Sequence, residues 1–110
     1  MQELNEFDFY PTLADRSGVS VVMFSGPDCG TCRKLEKILP SLLAGRAVQL
    51  YKVDVQRSTA LARAYEVFHL PSLFVFVDGA YHGPLHAEPT VEKFSRALAA
   101  LLAAPAQEEP

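Results

Sequence analysis

The sequence predicts a single α/β domain, with a central mixed β-sheet flanked by helices on both faces. Three observations carry this reading. Strand-like apolar runs alternate with stretches of helical periodicity along the 110 residues. The alternation ends in two strand-like runs separated only by Asp78-Gly79, a tight hairpin signal. About half of the residues are apolar, enough for the core of one ordinary domain. Strand–helix–strand units make the sheet parallel at first, and the hairpin makes it antiparallel at its end.

The elements follow in order. Residues 6–16 carry Phe7, Tyr10, Leu13 and Ala14 at helical spacing, with Asn5 as an N-cap and Gly18 beyond the end. Pro11 lies in this segment and either breaks the helix or starts it. Val19 to Phe24 is β-branched and aromatic and reads as a buried strand. From about residue 30, Leu35, Ile38, Leu39 and Leu42 recur at helical spacing. Pro40 must kink or end this helix, and Gly45 closes any continuation. Val48 to Val55 alternates as a second strand. Ser58 is placed to cap a helix carrying Leu61, Ala64, Tyr65 and Phe68. Leu73 to Val77 is a third strand, and Ala80-Tyr81-His82 starts the returning one. Val91, Phe94, Leu98, Leu101 and Leu102 form a last amphipathic helix. The aromatic set Phe7, Phe24, Phe68, Phe74, Phe76 and Phe94 is assigned to the core. No repeat or linker divides the chain, so residues 1–110 are one domain, with 105–110 expected to be a flexible tail.

Charge and hydropathy narrow the partners. Ten Lys and Arg against thirteen Asp and Glu give a net charge of −3, without a basic patch for nucleic acid. The longest apolar stretches, Leu70 to Val77 and Ala97 to Ala106, are too short to span a bilayer. The first six residues are acidic and lack the pattern of a secretory signal, so the cytoplasm is the expected location.

The only two cysteines form Cys29-Gly30-Thr31-Cys32, placed where the first long strand hands over to a helix. Thiols at this spacing can close a disulfide within one turn, their Cα atoms about 5–6 Å apart. The first thiol faces the unpaired N–H groups at the helix start, which favour thiolate, the reactive form. In a reducing compartment a lone pair of this kind is catalytic or metal-binding rather than a staple. Zinc is the rival reading, because His82 and His86 stand four apart and would complete a ligand set. The 49 residues between the pairs make that set far from compact, so no metal is assigned and both histidines are expected on an exposed edge strand.

This order of elements, with Cys-x-x-Cys after the first long strand, resembles the thioredoxin family. Lys52-Val53-Asp54-Val55 is similar to the family's second central strand. Ala64 to Leu73, containing Leu70-Pro71-Ser72, is similar to the stretch that ends in a cis-proline before the third strand. Asp78-Gly79 falls at the family's hairpin. The match covers residues 19–102. There are departures. The usual Trp-Cys-Gly-Pro-Cys is Asp28-Cys29-Gly30-Thr31-Cys32, the family's buried Asp is Met23 while its Lys partner is kept as Lys52, and Ala87 replaces a Gly. The family's helix proline is Lys37, with Pro40 three residues on. The first strand, expected near residues 1–4, is very short or missing.

The resemblance implies a thioredoxin-like fold and a thiol–disulfide oxidoreductase that reduces protein disulfides. Cys29 would attack and Cys32, one turn deeper, would resolve. Leu70 and Pro71 would present backbone to an extended substrate. Asp28, Gly30 and Thr31 form the active-site turn, a carboxylate at Asp28 disfavouring the thiolate; otherwise Asp28 is an exposed loop residue that caps the helix. Met23 and Lys52 would tune the pair. His69 lies close to the docking segment and reads as a surface residue. No cofactor is implied. The partners would be protein disulfides and an external electron donor such as a thioredoxin reductase, and the chain would be a monomer. The alternative is a binding or chaperone module on the same fold with little turnover.

Overall fold

A computed structural model describes residues 1–110. Five strands form one sheet in the order β1-β3-β2-β4-β5, from β1 (Gln2–Glu3), β2 (Val19–Ser25), β3 (Val48–Asp54), β4 (Ser72–Val77) and β5 (Ala80–Leu85). β1, β3 and β2 run parallel, β4 pairs antiparallel with β2, and β5 closes the hairpin on β4. Four helices, α1 (Phe9–Ala14), α2 (Gly30–Leu42), α3 (Thr59–Ala64) and α4 (Val91–Ala103), connect and cover the strands. The first strand is therefore present but only two residues long.

Period-two alternation splits the core into two layers. Val22 and Phe24 of β2 face one way with Phe74 and Phe76 of β4, against Phe9 and Leu13 of α1 and Leu61 of α3. Val21 and Met23 face the other way with Leu73 and Val75, against Leu39 and Leu42 of α2 and Phe94 and Leu98 of α4. Both faces of the central strands are buried, which is why their sequences read as nearly continuous apolar runs.

Several local expectations are corrected. Phe7 is 87% exposed and Phe68 is 84% exposed, so neither belongs to the core. Phe7 precedes α1, whose buried stripe is Phe9 and Leu13. α3 stops at Ala64, and Glu66 takes a left-handed φ of 52°, which turns Phe68 off the face that Leu61 and Tyr65 share. Asp8 rather than Asn5 is the N-cap of α1; Asn5 Oδ1 accepts the N–H groups of Phe7 and Asp8 instead. Pro11 is the third residue of α1, where no intrahelical donor is lost. Pro40 lies inside α2, which runs on to Leu42. Ser58 occupies the N-cap of α3, but its buried hydroxyl has no partner.

The chain after α4 does not extend away from the domain. Gln107 N–H donates to the His82 carbonyl at 2.8 Å, and a Glu109 carboxylate oxygen accepts from the hydroxyls of Tyr65 and Tyr10. His82 Nε2 lies 2.8 Å from the Leu101 carbonyl and 3.0 Å from that of Ala104, at the C-terminal end of α4. A half-buried clasp on a helix end replaces the exposed edge residue expected for His82.

Candidate functional site

β2 ends at Ser25 in the middle of the sheet, and Gly26-Pro27-Asp28 turns the chain into α2. This carboxyl edge of a central strand is where open α/β sheets place their sites. Cys29 is the N-cap of α2, and its Sγ accepts the Cys32 N–H at 3.1 Å. Sulfur here takes the place that an oxygen fills in an ordinary cap, so charge on Sγ meets the positive end of the helix dipole. The pair is closed as a disulfide, with a Cα–Cα distance of 5.2 Å. Cys29 is half-buried, whereas Cys32 is only 2% exposed. The turn is pinned by Cys29 N–H to the Gly26 carbonyl at 3.3 Å and by Arg33 Nη1 to the Pro27 carbonyl at 2.9 Å. Asp28 is exposed and leaves the capping position to Cys29. Thr31 Oγ1 lies 3.8 Å from Cys29 Sγ, and Gly30 is exposed.

Antiparallel pairing of β4 with β2 brings the start of β4 to the end of β2, with Ser72 opposite Phe24. The Leu70–Pro71 peptide just before it is cis. A Cβ on Gly26 would lie 3.1 Å from Leu70 Cδ1, so Leu70 packs directly on the turn that leads to Cys29. A groove of about 600 Å³ opens beside this junction, with Thr31, Leu35, Ile38, Pro71, His86 and Phe94 among its lining. His86 thus lines the groove, whereas His82 Nε2 is engaged by the carbonyls at the end of α4. His69 is exposed, and its carbonyl accepts the Ser72 hydroxyl.

Beneath the thiols, Met23 is fully buried in the apolar layer against Leu39 and Leu73. Lys52 is its neighbour across the parallel register. Lys52 Nζ donates to both carboxylate oxygens of Glu36, at 3.2 and 3.3 Å. Sequence reasoning missed Glu36, Ile38 and His86. For Glu36 the signal was available, because residue 36 is one helical turn beyond Cys32 and shares its face. For His86 there was none, since only the fold brings the end of β5 beside Pro71.

The thioredoxin family model matches residues 1–100. Over 101 residues the chain is 34% identical to protein disulfide-isomerase A3 of Gallus gallus, an alignment covering 86% of this chain and 20% of that protein. It is 39% identical over 66 residues to a thioredoxin of Staphylococcus aureus, covering 57% of this chain and 62% of the relative. The chain thus spans less than two thirds of the length of either relative. Among solved structures, a thioredoxin variant from Halobacterium salinarum superposes with a TM-score of 0.72 at 24% identity, over 99% of this chain and 93% of that one. A designed protein superposes with a TM-score of 0.75 at 21% identity, over 94% and 93%. Sequence match and shared fold agree: the chain belongs to the thioredoxin family.

Proposed function

We propose that this protein is a thiol–disulfide oxidoreductase that reduces protein disulfides by exchange through Cys29 and Cys32. The observation that carries the reading is the asymmetry of the pair at the start of α2. Cys29 is reachable and its sulfur accepts a backbone N–H, while Cys32 is buried one turn deeper. Attack by the Cys29 thiolate breaks the substrate disulfide and forms a mixed disulfide. Cys32 then attacks Cys29 Sγ, the substrate leaves as a thiol, and the Cys29–Cys32 disulfide closes. Two electrons pass from the thiol pair to the substrate.

The groove beside Thr31 and Pro71 supports a polypeptide substrate, because its apolar lining can hold side chains that flank the target cysteine. Asp28, Gly30 and Thr31 shape the turn, and Leu70 and Pro71 present the docking backbone. Met23 and Lys52 tune the pair, Met23 by offering no proton acceptor in the apolar layer. No helix is long and apolar enough to cross a membrane. Cytoplasmic location, a monomeric state and recycling by a donor such as a thioredoxin reductase complete the proposal. A docking module without turnover would use the groove but would not need two thiols.

The test is catalytic reduction of a fluorogenic disulfide-linked peptide with a small dithiol as electron source. Turnover lost on Cys29→Ser is the expected result. An unchanged rate in that variant refutes the reading.

A further inference from the structure

Cys32 must lose a proton before it can resolve a mixed disulfide, yet its side chain is almost closed to bulk water. A free thiol ionises near pH 8.5, so at neutral pH this proton has to be carried away during each turnover. The structure offers Cys32 a polar cavity of about 360 Å³ on the side of α2 away from the apolar groove. Six charged side chains line it: Glu3 from β1, Arg33 and Glu36 from α2, Lys52 and Asp54 from β3, and Arg57 from the loop that follows. Their engagements differ. Arg57 draws Glu3 at 3.2 Å and Asp54 at 3.9 Å, and Asp54 Oδ1 also accepts the N–H groups of Gln56 and Arg57. Arg33 is turned to the Pro27 carbonyl.

Glu36 is the one carboxylate of the three that stands on the helix of Cys32. Residues four apart on a helix share a face, with Cβ atoms about 5–6 Å apart, a gap that one water molecule can bridge. Lys52 holds both Glu36 oxygens from the opposite wall and keeps the carboxylate at the cavity. Met23 has no titratable atom and is packed into the apolar layer.

We propose that Glu36, positioned by Lys52, relays the proton of Cys32 through cavity water to solvent as Cys32 attacks Cys29. The S–H bond of Cys32 breaks and its proton passes to water held by the Glu36 carboxylate. The electron pair left on Cys32 Sγ forms the bond to Cys29 Sγ. The bond between Cys29 and the substrate sulfur breaks, and the departing thiolate takes a proton from solvent. Glu36 ends the step as the carboxylate it began as. This role rests on the exchange reading above. Glu36 acts on Cys32 through water and Lys52 acts on Glu36, so both are positioning residues.

The experiment is single-turnover resolution. A mixed disulfide is prepared on the reduced protein with an excess of a disulfide-linked peptide, and release of its fluorescent thiol is followed from pH 6 to pH 9.5. Side-chain proton transfer contributes about 10²–10⁴-fold where it limits a rate, and thiols need less help than most groups. Glu36→Gln should therefore slow resolution roughly 10-fold near pH 6–7 and converge on the parent rate at high pH, where Cys32 ionises unaided. Glu36→Asp should recover part of the loss. Lys52→Met should show the same pH-dependent defect in weaker form, and thermal melts identify any variant that has lost its fold. Equal slowing at every pH would assign Glu36 a structural role and overturn the proposal, as would unchanged rates in a folded Glu36→Gln protein. If the parent itself forms no mixed disulfide, the exchange reading fails instead.

Discussion

The Cys32 N–H points at the Cys29 sulfur from 3.1 Å in the closed disulfide, so the deeper cysteine supplies a backbone donor to the outer one. Such a bond favours charge on Cys29 Sγ and leaves Cys32 as the thiol that must wait. Cys32→Ser should accumulate a mixed disulfide through Cys29, because the resolving group is gone. Cys29→Ser should accumulate little, given the burial of Cys32. Mass spectrometry after exposure to a disulfide-linked peptide reads the outcome, and equal trapping by both variants would contradict the assigned order.

Tyr65 sets an upper limit on the pH at which the fold is fully stable. Burial pushes its hydroxyl far above the ordinary tyrosine range, and hydrogen bonds to Glu109 and Tyr10 push it further. Tyr81 is raised as well, by burial and then by the charge of Glu109. A raised folded pKa gives stability that is complete below the unfolded value near 10 and is lost as pH climbs above it. Unfolding free energy should therefore fall as pH rises above about 10, by at most about 1.4 kcal/mol per pH unit from Tyr65, with Tyr81 adding in the same direction. Denaturation midpoints at pH 9, 10 and 11 check this, and no loss across that span would refute it.

Removing residues 105–110 tests the clasp at the end of the chain. The truncation deletes the Gln107 bond to His82 and the Glu109 bonds to Tyr65 and Tyr10. At about 0.5–1.5 kcal/mol net for each of the three hydrogen bonds, the loss should be about 1.5–4.5 kcal/mol. The same truncation should lower the titration of Tyr65 and Tyr81 while burial still holds Tyr65 high. A melt indistinguishable from the full chain would show that these contacts contribute nothing in solution.

Gly79→Ala should be among the more damaging small substitutions. Gly79 has a φ of 81°, and a Cβ there would lie 2.7 Å from both Ala14 Cα and the Leu13 carbonyl oxygen, which are backbone atoms. Strain of about 1–3 kcal/mol adds to an overpacking cost of similar size. Urea unfolding should show a loss of about 2–6 kcal/mol with exchange chemistry intact per folded molecule. A loss below 1 kcal/mol would mean that the hairpin and α1 separate easily.

Met23→Asp places a carboxylate in the apolar layer with Lys52 already engaged by Glu36. The new group should titrate above the usual carboxylate range, because burial disfavours its charge. Its destabilisation should then be greatest above the raised folded value, shrink as pH falls through that value, and keep no electrostatic part below about 4, where the unfolded carboxylate is protonated as well. Thermal melts at pH 4 and pH 7 decide this, and an equal drop at both would point to packing alone.

The local chemistry of this protein was legible in the sequence. The Cys-x-x-Cys at a helix start, the Asp78-Gly79 hairpin, the alternation of β3 and the apolar runs of β2 and β4 each arise within a few residues. The order of the elements, read with the resemblance, was enough to reach the fold. Tertiary structure decided what depends on distant partners. It brought Glu36 to Lys52 across 16 residues, Tyr65 to Glu109 across 44 and His82 to the end of α4. It also turned Phe7 and Phe68 out to solvent, since helical spacing marks a buried stripe only as far as the helix runs. Short-range geometry fixes which atoms can react in this chain, and long-range packing fixes which charges stand beside them, because a side chain's neighbours are set by how the layers close.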